Sequence, residues 1–439
     1  MSEPGRKKVL ILTYYWPPGG GAGVQRWLKF TKYMREFNYE PVIYTAENPE
    51  YPSNDESLYK DVPDNLTVLK TRVWEPYNLY KRFTLKKKGH RINAGFLNKD
   101  ARKGPGERIS VWIRGNWFIP DARKFWIKPS IRYLTRYLKD HPVSLLVSTG
   151  PPHSLHMIAC GVAEKMKLPW VADFRDPWTQ IDFYQDLLLA PRADRKHRLL
   201  ERKVLMSANV VTVISNDMKR QFEEMGCNNI LVIPNGFDPD DFDVPVERVD
   251  PEFSLTHIGT IVPSRNPEIL WRVLSELVTE NKDLADHLVI RMVGAIDFSV
   301  SRSLDEANLG SWVRTVNYLP HQEAVGLLKS SQVLLLLINN TSNAKGILTG
   351  KFFEYMNSGR PILAIGPTDG EAAQILKETG TGQMVDFNDR NNLKSLILEY
   401  YNNYRQGGLN IDAKNINKYS RKSLTGRMTE LFTELLSTT

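Results

Sequence analysis

The run GILTGKFFE, Gly346 to Glu354, sets a glycine-bracketed loop, a lysine and a glutamate close together. The free N–H groups of such a loop, continued by the start of a helix, can receive a phosphate. Lys351 falls in the first helical turn, where the helix dipole disfavours a cation unless an anion is bound there. Thr349 and Gly350 line the same entrance. Glu354, one turn further in, offers a carboxylate able to accept two hydroxyl hydrogen bonds, as a ribose diol would present. The alternative is a surface helix whose Lys351 and Glu354 are merely solvated. Arg265, in the loop GTIVPSRNPE, has a planar guanidinium suited to clamping a diphosphate and to stabilising negative charge that grows as a bond breaks. A lone loop arginine is otherwise turned to solvent.

Three further clusters lie in the N-terminal half. Gly20, Gly21 and Gly23, in YYWPPGGGAG, allow backbone amides close approach to a ligand. The glycine spacing is not that of a dinucleotide-binding loop, because Tyr14 to Pro18 intervene and Val24 stands at the third glycine's place. Glu47 nevertheless follows the second expected strand, where a ribose-binding acid would sit. His153, in STGPPHSLHM, stands at a helix entrance, where the dipole favours the neutral ring that a base or acceptor needs. Structural capping is the alternative for it, and His156 is expected to be packed or solvent-facing. The run DFRDPW offers Arg175 for a phosphate or carboxylate and Asp173 and Asp176 for sugar hydroxyls, or else all three form an internal ion-pair cluster.

The elements that must position these groups alternate strand and helix. Strands are expected at Lys7–Thr13, Glu40–Thr45, Leu66–Lys70, Val143–Ser148, Trp170–Ala172, Asn209–Ile214 and Ile230–Ile233, with helices between. A Pro-, Asp- and Gly-rich stretch from Pro234 to Pro251 reads as a hinge, and Asp238-Pro-Asp240 within it reads as turn chemistry rather than a metal site. A second series follows, with strands at Ser254–Ile258, Leu288–Val293, Trp312–Val316, Val333–Ile338 and Pro361–Ile365. Residues 1–240 are therefore expected to form one α/β domain and residues 252–412 another. They form two Rossmann-like sheets facing across a cleft. Residues 413–439 carry an amphipathic helix that packs back on the N-terminal domain.

Composition narrows the class. The chain has 439 residues, 41% of them hydrophobic and 25% charged, as in globular proteins. Two cysteines, Cys160 and Cys227, fit a reducing cytoplasm and no disulfide framework. No apolar run approaches the roughly 18 residues of a membrane-crossing helix. Of the net +8, residues 70–139 carry more than the whole, with nineteen Lys and Arg against four Asp and Glu. That insert also holds Trp74, Trp112, Trp117, Phe118, Phe125 and Trp126. Such a mixture suits anionic lipid headgroups, phosphorylated lipid carriers or nucleic acid, or is a solvated basic face over core aromatics. Turn clusters at Lys86–Gly89 and Lys103–Gly106 interrupt it, and a helix from Phe125 to Leu138 closes it.

Outside the insert, the chain resembles a glycosyltransferase of the two-Rossmann GT-B type, and most closely family 4 members that build bacterial surface polysaccharides. The resemblance rests on KVLILTYYWPPGGGAGVQRW, STGPPHSLHMIACGVAEKMKLPWVADFRDPW, VIPNGFD, GTIVPSRNPEILWRVL, KFFEYMNSGRPIL and GEAAQILKETGTGQMV in that order. It implies a retaining transfer from a nucleoside diphosphate sugar, of UDP or GDP type, to a glycan or lipid-linked hydroxyl. No resident cofactor or metal is implied. Glu354 takes the place of the second glutamate of the family's paired-glutamate motif, while the first falls on Gly346. Thr260 stands where an arginine commonly follows glycine, Arg265 is the cation nearest the family's lysine position, and Lys351 compensates. The family's N-domain histidine aligns with Thr149 or His153. A sugar-nucleotide epimerase of the same layout and a non-catalytic binding protein are the competing readings. A cytoplasmic protein peripheral to the inner face of the membrane is expected, and a nucleic acid partner is not.

Overall fold

Val9 to Leu12 are buried without interruption. A strand covered on both faces requires such a run, and this is the environment of a parallel sheet flanked by helices. The computed structural model describes residues 5–51, 54–74, 105–245, 248–317, 319–409 and 411–438. The expected turns at Lys86–Gly89, with most of the basic insert, fall outside these residues.

The chain divides into two units, residues 1–234 with 421–439 and residues 235–420. Unit 1 contains β1 (Lys7–Leu12), β2 (Tyr39–Ala46), β3 (Thr67–Thr71), β4 (Leu145–Gly150), β5 (Trp170–Phe174), β6 (Val210–Val213) and β7 (Ile230–Val232). They make one sheet in the order β3-β2-β1-β4-β5-β6-β7, every pair parallel. The helices that bear on function are α1 (Ala22–Met34), α2 (Pro105–Trp117), α3 (Ile127–Asp140), α4 (Ser154–Met166) and α5 (Pro191–Ser207). The last turn expected in the insert, Lys103–Gly106, is instead where α2 begins, at Pro105; proline's fixed φ suits that position.

Unit 2 contains β8 (Phe253–Ile258), β9 (Leu288–Val293), β10 (Val313–Val316), β11 (Val333–Leu337), β12 (Ile362–Ile365) and β13 (Gly382–Val385), again all parallel, in the order β10-β9-β8-β11-β12-β13. Each order reverses direction once, between β1 and β4 and between β8 and β11. In open parallel sheets, ligands bind beyond the carboxyl ends of the strands at such a reversal. The helix α6 (Gly350–Asn357) leads into β12 and buries Phe352, Phe353, Tyr355 and Met356. At the start of unit 2, the Asp238 carboxylate accepts from the Asp240 amide at 3.3 Å, forming an Asx turn.

The final helix, α7 (Arg421–Ser437), returns to unit 1, as its apolar spacing predicts. Leu424, Met428, Leu431, Phe432 and Leu435 share a core with Val24, Trp27 and Leu28 of α1. Thr433 Oγ1 and the Tyr39 hydroxyl lie 2.9 Å apart, and Lys422 pairs with Glu36 at 2.6 Å, fixing the register.

Candidate functional site

Unit 2 gathers its chemistry at the carboxyl end of β8. The strand runs into Gly259, whose φ of 116° lies where only glycine is unstrained, and an added Cβ would stand 3.2 Å from the Lys351 amino nitrogen. This close approach explains why Lys351 can reach back from α6 across the strand end. Lys351 Nζ donates to His257 Nε2 at 3.2 Å and lies 3.4 Å from the Ile258 carbonyl. No ion pair holds it among the described residues. Its proton affinity falls well below that of an ordinary lysine, chiefly through burial and then through Arg265, with Glu354 opposing.

Arg265 lies in the loop after β8. Its Nε donates to Asn339 Oδ1 at 2.8 Å and its Nη1 to the Thr260 carbonyl at 3.1 Å. Asn339 follows β11, so these bonds join the two strands that flank the sheet's reversal. The Asn340 amide reinforces the link by donating to the Ser264 carbonyl at 2.7 Å. Thr349 is the N-cap of α6, but its side chain caps nothing, and its Oγ1 is buried without a hydrogen-bond partner. Glu354 is half-buried one turn on, and Tyr355 beside it accepts from the Ile258 amide at 2.8 Å. Arg265, Thr349, Gly350, Lys351 and Glu354 thus belong to one neighbourhood: two cations, an uncommitted hydroxyl, a helix N-terminus and a carboxylate. Such a set can bind a diphosphate and a diol side by side.

In unit 1 the corresponding reversal is bridged by Arg175. Its guanidinium donates to the Gly23 carbonyl at 2.9 Å and to the Pro151 carbonyl at 2.6 Å, tying the first turn of α1 to the loops after β4 and β5. Gly20 is buried and Gly21 exposed, and the φ of 89° at Gly21 turns the chain into α1. His153 precedes α4, and its ring stacks on Trp178 with centroids 4.6 Å apart and planes 1° from parallel. The ring does not cap the helix: Asp121 does so, accepting from the Ser154 amide at 2.8 Å. His153 Nδ1 is buried without a partner. Burial, then His156, His197 and Arg175, hold the ring well below the usual histidine range, so it is neutral. His156 is fully buried against Ser148, with Nδ1 2.8 Å from its hydroxyl, and burial pushes it down to about 3. Asp176 reaches solvent, yet desolvation raises its carboxyl above the ordinary value, with Asp182 adding repulsion and Arg175 opposing.

Asp173 requires a correction. Its carboxylate is fully buried and receives Arg26 Nε and Nη2, Trp27 Nε1, Thr149 Oγ1 and Thr212 Oγ1 at 2.7–3.2 Å. The expected ion-pair cluster therefore exists, but the cation in it is Arg26. Asp173 ties α1 to the sheet and has no capacity left for a sugar hydroxyl. Sequence reasoning also missed His257 and Asn339. His257 stands where the alternation of Phe253 and Leu255 in β8 would place a third apolar residue, and that was the signal for the first, since a buried imidazole needs partners. Asn339 carries no signal beyond following a buried strand.

The class these features define is the GT-B type, with two Rossmann-like units built on parallel sheets. Residues 20–236 match the family model of a glycosyl transferase 4-like domain. Among solved structures, sucrose-phosphate synthase from Thermosynechococcus elongatus is 12% identical, with a TM-score of 0.62 over 99% of this chain and 100% of that one. HepE of Anabaena, solved in complex with UDP-glucose, is 12% identical with a TM-score of 0.58 over 98% and 100%. A Listeria monocytogenes protein assigned as UDP-N-acetylglucosamine 2-epimerase is 10% identical with a TM-score of 0.55 over 99% and 98%. At such identities these likenesses establish the fold. No curated protein sequence matches the chain.

Proposed function

We propose that the protein is a retaining glycosyltransferase that moves a sugar from a UDP- or GDP-linked donor to a hydroxyl of a glycan or lipid-linked acceptor in cell-surface polysaccharide synthesis. The observation that carries this is the convergence of Arg265, Lys351 and Glu354 beyond β8 and α6. Lys351, Thr349 and Gly350 receive the diphosphate, Glu354 holds the ribose, and Arg265 stabilises the charge that grows on the leaving group. With two cations in place, the leaving diphosphate needs no resident metal. The acceptor falls to unit 1, beside Gly20, Gly21, Gly23, Arg175 and Asp176. There the neutral His153 is an acceptor for a hydroxyl proton.

The acceptor's origin directs attention to α2 and α3. Trp74, Trp112, Trp117 and Phe125 are exposed, and Lys124 lies over the rings of Phe118 and Phe125 at 5.1 and 4.9 Å. No helix among the described residues is long and apolar enough to cross a membrane. This basic, aromatic surface fits peripheral attachment to an anionic leaflet at the cytoplasmic face.

The epimerase among the structural relatives favours a second reading on the same fold. Incubating a panel of labelled nucleotide sugars with and without glycan and polyprenyl-phosphate acceptors separates the two. Transfer that requires an acceptor is expected. An isomerised nucleotide sugar formed at a useful rate without acceptor would overturn the transferase reading.

A further inference from the structure

The fully buried His257 lies on β8 with both ring nitrogens engaged. Nδ1 is 2.9 Å from the Leu335 carbonyl of β11, and Nε2 is 3.2 Å from Lys351 Nζ. A carbonyl oxygen carries no proton, so Nδ1 must donate, and in the neutral ring Nε2 is then left as an acceptor. The doubly protonated ring would set an imidazolium against an ammonium in a buried place. Burial, Lys351 and Arg265 all oppose that state, against the Leu335 hydrogen bond. The strand on the far side of the sheet's reversal therefore fixes the tautomer that faces Lys351.

We propose that His257 is a positioning residue: an acceptor built into β8 that holds the Lys351 amino group beside Arg265, where the phosphates of a nucleoside diphosphate arrive. This rests on the reading of Lys351 as a phosphate ligand. A lysine near a guanidinium and lacking an ion pair would otherwise swing its flexible stem toward open water. Around the amino group stand His257 and the Ile258 carbonyl from β8, the Gly259 backbone and Arg265 from the following loop, and Glu354 from its own helix. Of these side chains, His257 offers a neutral nitrogen as acceptor, and its Nδ1 is anchored to the Leu335 carbonyl within β11.

The test is UDP binding by calorimetry to the full chain and its H257F, H257Q, K351M and H257F/K351M variants. A hydrogen bond to a charged group predicts that H257F binds UDP about tenfold more weakly. H257Q, whose side-chain oxygen reaches the position of Nε2, should recover affinity to within about twofold of wild type. In the K351M background H257F should have less than about a twofold further effect, because the two residues act as one unit. Wild-type affinity in H257F, or an equal loss with and without Lys351, would overturn the proposal. If K351M binds UDP as tightly as wild type, the phosphate-site reading fails and this inference falls with it. If K351M weakens binding and H257F does not, the inference alone fails. Should H257F not fold, nitrogen-15 NMR of the wild-type histidines decides. An Nδ1-protonated signal that moves in K351M and on addition of UDP is expected for His257, and the Nε2-protonated tautomer would overturn the proposal.

Discussion

Replacing Asp173 by asparagine should destabilise unit 1 severely. Arg26 and Asp173 have no solvent-accessible side-chain surface, and two further Arg26 donors are committed to the Ile233 and Pro234 carbonyls. The substitution keeps the shape but leaves the guanidinium buried without a counter-charge. It also turns an acceptor into a donor facing Trp27, Thr149, Thr212 or Arg26 itself. Removing one partner of such a pair costs about 3–5 kcal/mol. At roughly 2–4 °C per kcal/mol for a unit of this size, the melting transition should fall by about 6–20 °C. Two units need not unfold together, so scanning calorimetry should resolve a lowered transition for unit 1 beside an unmoved one for unit 2. The double substitution R26M/D173L should recover more than half of the loss, since no charge is then stranded. A D173N transition within about 2 °C of wild type would refute the reasoning. The pH dependence has a definite sign. Burial pushes the Asp173 carboxyl up, but the Arg26 charge and the hydrogen bonds from Arg26, Trp27 and Thr212 outweigh it and hold it below the usual range. Its stabilisation is therefore complete above the unfolded carboxylate value of about 3.9 and is lost as pH falls through the lower folded value.

His156 should produce a separate acid dependence. With its folded value pushed down to about 3, its stabilisation is present above the unfolded value and lost as pH falls toward that figure. The slope is about 1.4 kcal/mol per pH unit below about 6.5. Unfolding of H156L should lose about 2–3 kcal/mol less than wild type between about pH 7 and about pH 4.5, and an identical loss would contradict this. Gly259→Ala places a methyl group 3.2 Å from Lys351 Nζ at a φ of 116°, so the protein should fold yet bind UDP more weakly. The expected loss is about tenfold, from about 1–2 kcal/mol of strain and displacement, and unchanged affinity would contradict the placement of Lys351. Exchanging Trp112 and Trp117 for serine should reduce flotation with anionic vesicles by about tenfold, as lost interfacial burial predicts. Wild-type flotation that is equal on neutral and anionic vesicles would exclude the electrostatic part of that reading.

The two parallel sheets were legible because strands buried on both faces read as uninterrupted apolar runs, and glycines and prolines punctuated them in order. The grouping of Arg265, Lys351 and Glu354 was legible for a different reason: a cation in the first turn of a helix is out of place without an anion. The fate of Asp173 was not legible. An Asp-Phe-Arg-Asp run at a strand tip looks the same whether it meets sugar or an internal cation, and the residue that decides it, Arg26, is 147 positions away. Nor did local pattern reveal why Arg175 is needed, since its partners are backbone carbonyls of the first turn of α1 and of the loop after β4. His257 escaped because the role of a single histidine in a strand depends on the neighbouring strand and on the helix packed across its end, which only the folded chain brings together.

The central claim is that the carboxyl end of β8 and the start of α6 grip a nucleoside diphosphate. Calorimetric titration of UDP and GDP into wild type, R265A and E354A tests it most directly. One nucleotide should bind, with affinity lowered about tenfold to a hundredfold in each variant, as loss of a charged hydrogen-bonding group predicts. Unchanged affinity for that nucleotide in both variants would contradict the account.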